Sequence, residues 1–209
     1  ITEDKIIHLF QVRPMTVQYQ FTDIDDNEIF DVLTTVSKEF LELKYPNPFI
    51  LGDIPIYGLM PDWNPAEIIG AKPSKLSFTL YCYLITDDIW ATQRSEYGYR
   101  DLRPNKLLKN FAGQPFVDVR ASINSFIPKK LDDELARKLV NFYSKWLIDN
   151  PDLHDKLEFE VLPTCFSLDF NKWEKRLIDS EVFNTNEIKQ YYESIKEITV
   201  NGIKRIEKD

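Results

Sequence analysis

Arginine is the side chain best matched to a carboxylate or a phosphate, because its planar fork donates two parallel hydrogen bonds. Arg94, Arg100, Arg103 and Arg120 fall close together in this chain, with Tyr97 and Tyr99 between the first two. Such a group builds either an anion pocket or a salt-bridge network with Glu96, Asp101 and Asp118. A second polar concentration follows at once. In the segment Asp118-Val-Arg-Ala-Ser-Ile-Asn-Ser-Phe126, the residues Asp118, Arg120, Ser122 and Asn124 recur at every second position. On a strand that spacing puts all four on one face, which is then a polar cleft wall or the outer surface of a sheet. The third candidate is Asp62. It stands just outside a helix start, beside Trp63, and is either a turn-forming group or a ligand-facing one.

Other chemistry is sparse. There is no Gly-rich phosphate loop, no nucleophile elbow and no histidine pair at metal spacing. His8 lies in strand-like sequence. His154 adjoins Asp155, but neighbours on a strand point to opposite faces, which weighs against a catalytic dyad. Cys82 and Cys165 lie far apart, so neither a disulfide framework nor a Cys-rich zinc site is suggested. An isolated cysteine closing a strand is expected to be packed rather than nucleophilic.

The elements that must carry these groups read as follows. Residues 5 to 12 are β-branched and aromatic and stop at Arg13-Pro14, a strand pattern. Asp25 to Leu43 carries a helical apolar stripe at Ile29, Val32 or Leu33, Val36, Phe40 and Leu43. Residues 49 to 61 are apolar but broken by Gly and Pro, and read as short strands or a buried loop. Asn64 is placed to cap a helix that begins with Pro65, with Glu67 closing a capping box and Trp63 and Ile68 forming a staple. Ser74 to Tyr97 reads as a helix pair broken near Thr86, ended by Gly98. Phe116 to Arg120 alternates as a strand. Asp132 to Ile148 is the clearest helix, with Leu135, Leu139, Phe142 and Trp146 on its buried stripe. Lys156 to Cys165 alternates again, a strand with one wet face. The last helix starts at Asn184, with Glu187 completing its box and Phe183 and Ile188 its staple. These elements predict an α+β fold, several helices packed with a small, mostly antiparallel sheet.

Bulk properties narrow the classes. The chain has 209 residues, 43% apolar and 13% aromatic, enough for a real core. A net charge of −8 and a pI near 4.9 disfavour a general nucleic-acid or anionic-membrane binder, which needs a basic face. No apolar run is long enough to span a bilayer and no signal peptide is visible, so a cytoplasmic setting is expected. The chain opens at Ile1 inside a strand pattern and reads as a piece of something longer.

Leu9-Phe10-Gln11-Val12-Arg13-Pro14-Met15-Thr16 resembles the closing strand of the ATP-grasp-like nucleotide-binding domain of the phosphoenolpyruvate synthase and pyruvate phosphate dikinase family, an apolar strand followed by Gln-x-Arg-Pro. By that resemblance Gln11 helps hold the magnesium-bound nucleotide and Arg13 lies against the ATP phosphates. A side-chain carbonyl is a hard ligand suited to Mg²⁺, and a guanidinium neutralises charge in phosphoryl transfer. Met60 to Gly70, Leu84 to Trp90, Tyr97 to Leu102, Gly113 to Pro128 and Asn150 to Glu160 resemble the segment that follows the nucleotide domain in a bacterial subgroup of this family. The resemblance implies residues 1–19 as the last strand of a truncated ATP-binding domain plus linker, and residues 20–209 as a central domain. The parent would be an ATP-dependent transferase of the kinase or dikinase type, moving phosphate through a phosphohistidine to a small acceptor. Its partners would be its own ATP-binding and phosphohistidine domains and that acceptor. The central domain would shape the acceptor site with Asp62, Arg94, Arg100, Asp118, Arg120 and Asn124. No catalytic histidine is placed in this segment, and the segment alone is expected to be inactive, with ATP and Mg²⁺ belonging to the parent. Two other readings stay open: a structural spacer between catalytic domains, and a small-molecule or carbohydrate-binding module using Trp63, Tyr97 and Tyr99.

Overall fold

The computed structural model describes residues 24–43, 47–59, 65–168 and 170–206. The chain divides into two compact units, Ile1–Thr35 and Val36–Asp209. The described part of the first is the opening of helix α1 (Asp26–Glu42). Asp25 starts that helix, its carboxylate accepting from the Asn27 amide at 3.1 Å. The apolar stripe does form a helix, but no residue of α1 is buried.

The second unit is α+β. Among the described residues its sheet has three short antiparallel strands, β1 (Tyr57–Gly58), β2 (Leu108–Phe111) and β3 (Gln114–Asp118), in the order β1-β3-β2. Strands β2 and β3 form a hairpin whose turn residues, Ala112 and Gly113, both have positive φ, at 51° and 83°. Two such residues in sequence match the twist of the flanking strands. The Asn110 side chain holds the turn by accepting from the Gly113 amide at 2.8 Å.

Around the sheet lie helices α2 (Pro65–Ile69), α3 (Lys75–Tyr81), α4 (Ile89–Tyr97), α5 (Val119–Asn124), α6 (Asp133–Asp149), α7 (Phe170–Asp179) and α8 (Thr185–Ile206). The break expected near Thr86 is a π-helical turn, Cys82–Thr86, followed by the Asp87-Asp88 turn. Gly98 ends α4 in the left-handed region, at φ 111°. Ser74 caps α3 and Asp132 caps α6, each accepting an amide three residues on. The expected box at α8 is present in both directions. Asn184 Oδ1 accepts from the Glu187 amide at 3.0 Å, and Glu187 accepts from the Asn184 amide at 2.7 Å. Phe183 and Ile188 are both buried in the same core.

Among the described residues two apolar cores form. The larger joins α5, α6, α7 and α8, with Leu139, Ile123 and Ile195 fully buried. The smaller joins α3, α4, β2 and β3 around Trp90, Leu107 and Val117. Helix α5 serves both, because Val119 and Ile123 enter the first and Ala121 the second. That is why all six of its residues are buried.

Two expectations are corrected. The strand over Phe116 to Arg120 ends at Asp118, where the chain turns into α5. A six-residue segment facing cores on two sides buries every residue, which blurs both periodicities. The strand over Lys156 to Cys165 is absent. Pro151–Lys156 is a 3-10 helix and Leu157–Val161 a π-helical turn. Leu157 and Val161, four residues apart, are both buried in the larger core. Tertiary burial at helical spacing therefore outweighs the local alternation. Cys165 ends no strand and is exposed, while Cys82 is buried.

Candidate functional site

Opposed residues of an antiparallel pair share a face, and faces alternate along each strand. Tyr57 is opposite Asp118, Lys109 opposite Phe116, and Phe111 opposite Gln114. One face of the sheet thus carries Tyr57, Lys109, Phe111, Phe116 and Asp118. The other face carries Leu108 and Val117 into the smaller core. Over the first face lies a cleft of about 410 Å³ lined by Glu42, Tyr57, Lys106, Lys109, Asp118 and Arg120, among others. That volume is within the usual range for small-molecule sites, roughly 300 to 1,000 Å³.

Two charged side chains at its floor are almost wholly withdrawn from water, Asp118 and Arg120, each 3% exposed. Asp118 sits at the junction of β3 and α5 because it ends one and caps the other, accepting from the Ala121 amide at 2.9 Å. Burial pushes its carboxyl above the ordinary range, against the pull of that amide and of the positive charges of Arg120 and Lys109. Burial, and then the negative charge of Asp118, raise the Tyr57 phenol as well. Arg120 donates from Nη1 to the Gly52 carbonyl at 3.0 Å, while its Nε is buried with no hydrogen-bond partner. A buried guanidinium donor without an acceptor carries a cost of about 1–3 kcal/mol or more.

Asn124 lies one turn further along α5. Its side chain accepts from the Leu51 amide at 3.0 Å and donates to the Leu51 and Arg120 carbonyls at 2.9 and 2.8 Å. Arg120 and Asn124 together clamp residues 51 and 52 onto α5. Gly52 is required there, because its φ is +97° and a Cβ would stand 2.6 Å from Val140 Cγ1.

The structure therefore brings Asp118 and Arg120 to one cleft and assigns Asn124 to the clamp beneath it. The remaining arginines have other neighbours. The Arg94 guanidinium lies over the Phe126 ring, 4.1 Å from its centroid. Arg100 donates to Asp133 at 2.7 Å, and Arg103 to Asp101 and to Thr92. Neither Arg94 nor Arg100 is among the residues lining the cleft. Tyr99 is buried and donates its hydroxyl to the Thr164 carbonyl, and Tyr97 is half-buried under the Arg205 guanidinium. Gln11, Arg13, His8, Asp62, Trp63 and Asn64 lie outside the described residues. Among the described residues, no group of three or more His, Cys, Asp or Glu side chains is arranged to hold a metal ion.

Tyr57 and Lys109 are among the residues of this cleft that sequence reasoning missed. Tyr57 sits in a Gly- and Pro-rich run with no alternation to flag it, and Lys109 belongs to a strand of only four residues. The Asn110-Phe-Ala-Gly113 turn is the available signal, but it lacks the Asn-Gly pair that marks most two-residue hairpins. No family model, curated protein or solved structure matches the chain.

Proposed function

We propose that this chain is the central domain of a phosphotransferase of the phosphoenolpyruvate synthase and pyruvate phosphate dikinase kind, and that the cleft over Asp118 and Arg120 is its acceptor site. The observation that carries the reading is the pair of buried opposite charges at the floor of an open cleft, one of them with an unsatisfied donor. The Gln11-Val-Arg13-Pro14 resemblance supports the reaction type. ATP with Mg²⁺, held through Gln11 and Arg13, supplies the phosphate in such a protein. In the central domain Lys109, Arg120 and Asp118 bind and orient the acceptor. The setting is cytoplasmic, where ATP is available. No described helix is long and apolar enough to cross a membrane.

The test is made on protein expressed from the whole gene. It should bind a non-hydrolysable ATP analogue in calorimetry, and ATP should leave a phosphohistidine detectable by mass spectrometry at neutral or alkaline pH. Protein that neither consumes ATP nor becomes phosphorylated overturns the proposal.

A structural spacer between catalytic domains is the second reading. The Asn124 clamp and the Arg100–Asp133 pair favour it, since both are complete without a ligand. Lys109→Ala separates the two. Weaker acceptor binding at an unchanged melting temperature supports a site, and no effect on either supports a spacer. A carbohydrate-binding module is less well served, because Tyr99 is buried and cannot stack on a sugar.

A further inference from the structure

The sheet face that carries Asp118 and Lys109 continues into a second space. A groove of about 490 Å³ is lined by Val36, Ser37, Phe40, Leu41, Tyr57, Phe111 and Phe116. Tyr57 lines both this groove and the polar cleft. Its ring meets Phe40 and Phe111 edge-on, with centroids 5.9 and 5.3 Å apart, and Phe111 meets Phe116 in the same way at 5.4 Å. Four aromatic rings thus stand beside the charged floor, over one face of the sheet.

The charges on the polar side are balanced. Of the charged residues lining the cleft, Lys106 is engaged by Asp87 at 3.2 Å. The others are two acids, Glu42 and Asp118, and two bases, Lys109 and Arg120. A simple anion would meet the buried carboxylate of Asp118. A simple cation would meet the buried guanidinium of Arg120. A purely apolar ligand would leave both charges covered and uncompensated, which is the costliest arrangement. A neutral polyol would satisfy the floor but leave the aromatic groove empty.

We infer that this site binds a zwitterionic small molecule with an apolar body, the chemistry of an aromatic or large aliphatic amino acid. Its ammonium lies toward Asp118 and its carboxylate toward Arg120 and Lys109. Its side chain passes Tyr57 onto Phe111, Phe116 and Phe40. The ammonium relieves the burial of the Asp118 carboxylate, which is held above its ordinary range. The carboxylate meets the positive charges of Arg120 and Lys109, both of which line the cleft. Edge-to-face rings offer the ligand's apolar body both area and shape. The inference deepens the acceptor-site reading by naming the acceptor's class, and it shares with that reading only the cleft.

The experiment is calorimetry on the chain without nucleotide, titrating L-phenylalanine, L-tyrosine and L-leucine. N-acetyl-L-phenylalanine, L-phenylalanine amide, glycine and inorganic phosphate serve as comparators. The free amino acids should bind. Blocking either the ammonium or the carboxylate should weaken binding at least about tenfold, the effect of losing one charged contact. Glycine should bind at least about tenfold more weakly than phenylalanine, for want of the groove. Lys109→Ala should weaken phenylalanine binding about three- to tenfold at an unchanged melting temperature, because Lys109 is only half-buried. The inference is overturned if no free amino acid binds up to about 10 mM, far above a useful affinity. It is equally overturned if the blocked derivatives, glycine or phosphate bind as well as phenylalanine. Those comparisons use the unmodified chain, so they hold even if the variant folds poorly. Amino-acid binding without ATP-dependent phosphorylation would sink the phosphotransferase reading and leave this one standing; phosphorylation without amino-acid binding would do the reverse.

Discussion

Replacing Asn124 by alanine should destabilise the protein by about 3–6 kcal/mol. The side chain makes three buried hydrogen bonds, to the Leu51 amide and to the Leu51 and Arg120 carbonyls. A net value of about 1 kcal/mol per bond sets the lower bound, and buried backbone groups left unpaired raise it toward about 2 each. Against a typical total of about 5–15 kcal/mol, a loss of about 3 is large. For a chain of this size it corresponds to about 6–12 °C in melting temperature. The assay is urea denaturation followed by circular dichroism, with the midpoint falling and the slope unchanged. Asn124→Asp sharpens the test. An aspartate there must stay protonated to donate to a carbonyl, so its folded pKa is raised above the unfolded value of about 3.9. Its stabilising bonds are fully present below that unfolded value and are lost as pH rises through the folded pKa. The aspartate variant should therefore be least destabilised in acid, where one hydroxyl still donates in place of the two amide protons, and worst at neutral pH. A loss below about 1 kcal/mol for the alanine variant would refute the clamp, since three buried bonds cannot sum to so little.

Three further outcomes follow from the same geometry. Asp118→Asn keeps the helix cap but removes a carboxyl that burial holds above 3.8. Between the unfolded and folded pKa the native parent binds a proton the unfolded chain has released, so its stability falls as pH rises there. The stability of the asparagine variant relative to the parent should thus improve with pH above about 3.8, and a difference that stays flat in urea titrations across pH would contradict it. Gly52→Ala should cost about 2–4 kcal/mol in the same assay, from a backbone at φ +97° and a Cβ placed 2.6 Å from Val140. Asn184→Ala should cost about 1 kcal/mol, the usual value of a helix cap, because the Glu187 amide loses its acceptor.

Features of the fold that rest on neighbours along the chain are legible in the residues themselves. The Asn184–Glu187 box, the stop at Gly98 and the break beside Thr86 all appear where residue type and spacing put them. Each depends on contacts within one turn of helix. The stripe of α6 is readable at Leu135 and Leu139, but its buried face continues through Val140, Tyr143 and Leu147 and leaves the expected Phe142 and Trp146 half-buried at its margin. The site is legible only in part. Asp118 and Arg120 stand out as polar residues in apolar sequence, but the geometry their spacing suggests is that of a strand, and the chain turns into a helix between them.

Residue chemistry determined the helix ends, the α+β class and the presence of charged groups too polar to be buried without purpose. What only the tertiary structure decided is their neighbourhood. Helix α5 lies between two cores, so its sequence shows neither period. The Leu157–Val161 turn follows the core rather than its own alternation. Tyr57 meets Asp118, a residue remote from it in sequence, through the pairing of β1 with β3. A strand of two residues carries too little pattern to announce itself, and its place in the sheet is set by what packs around it.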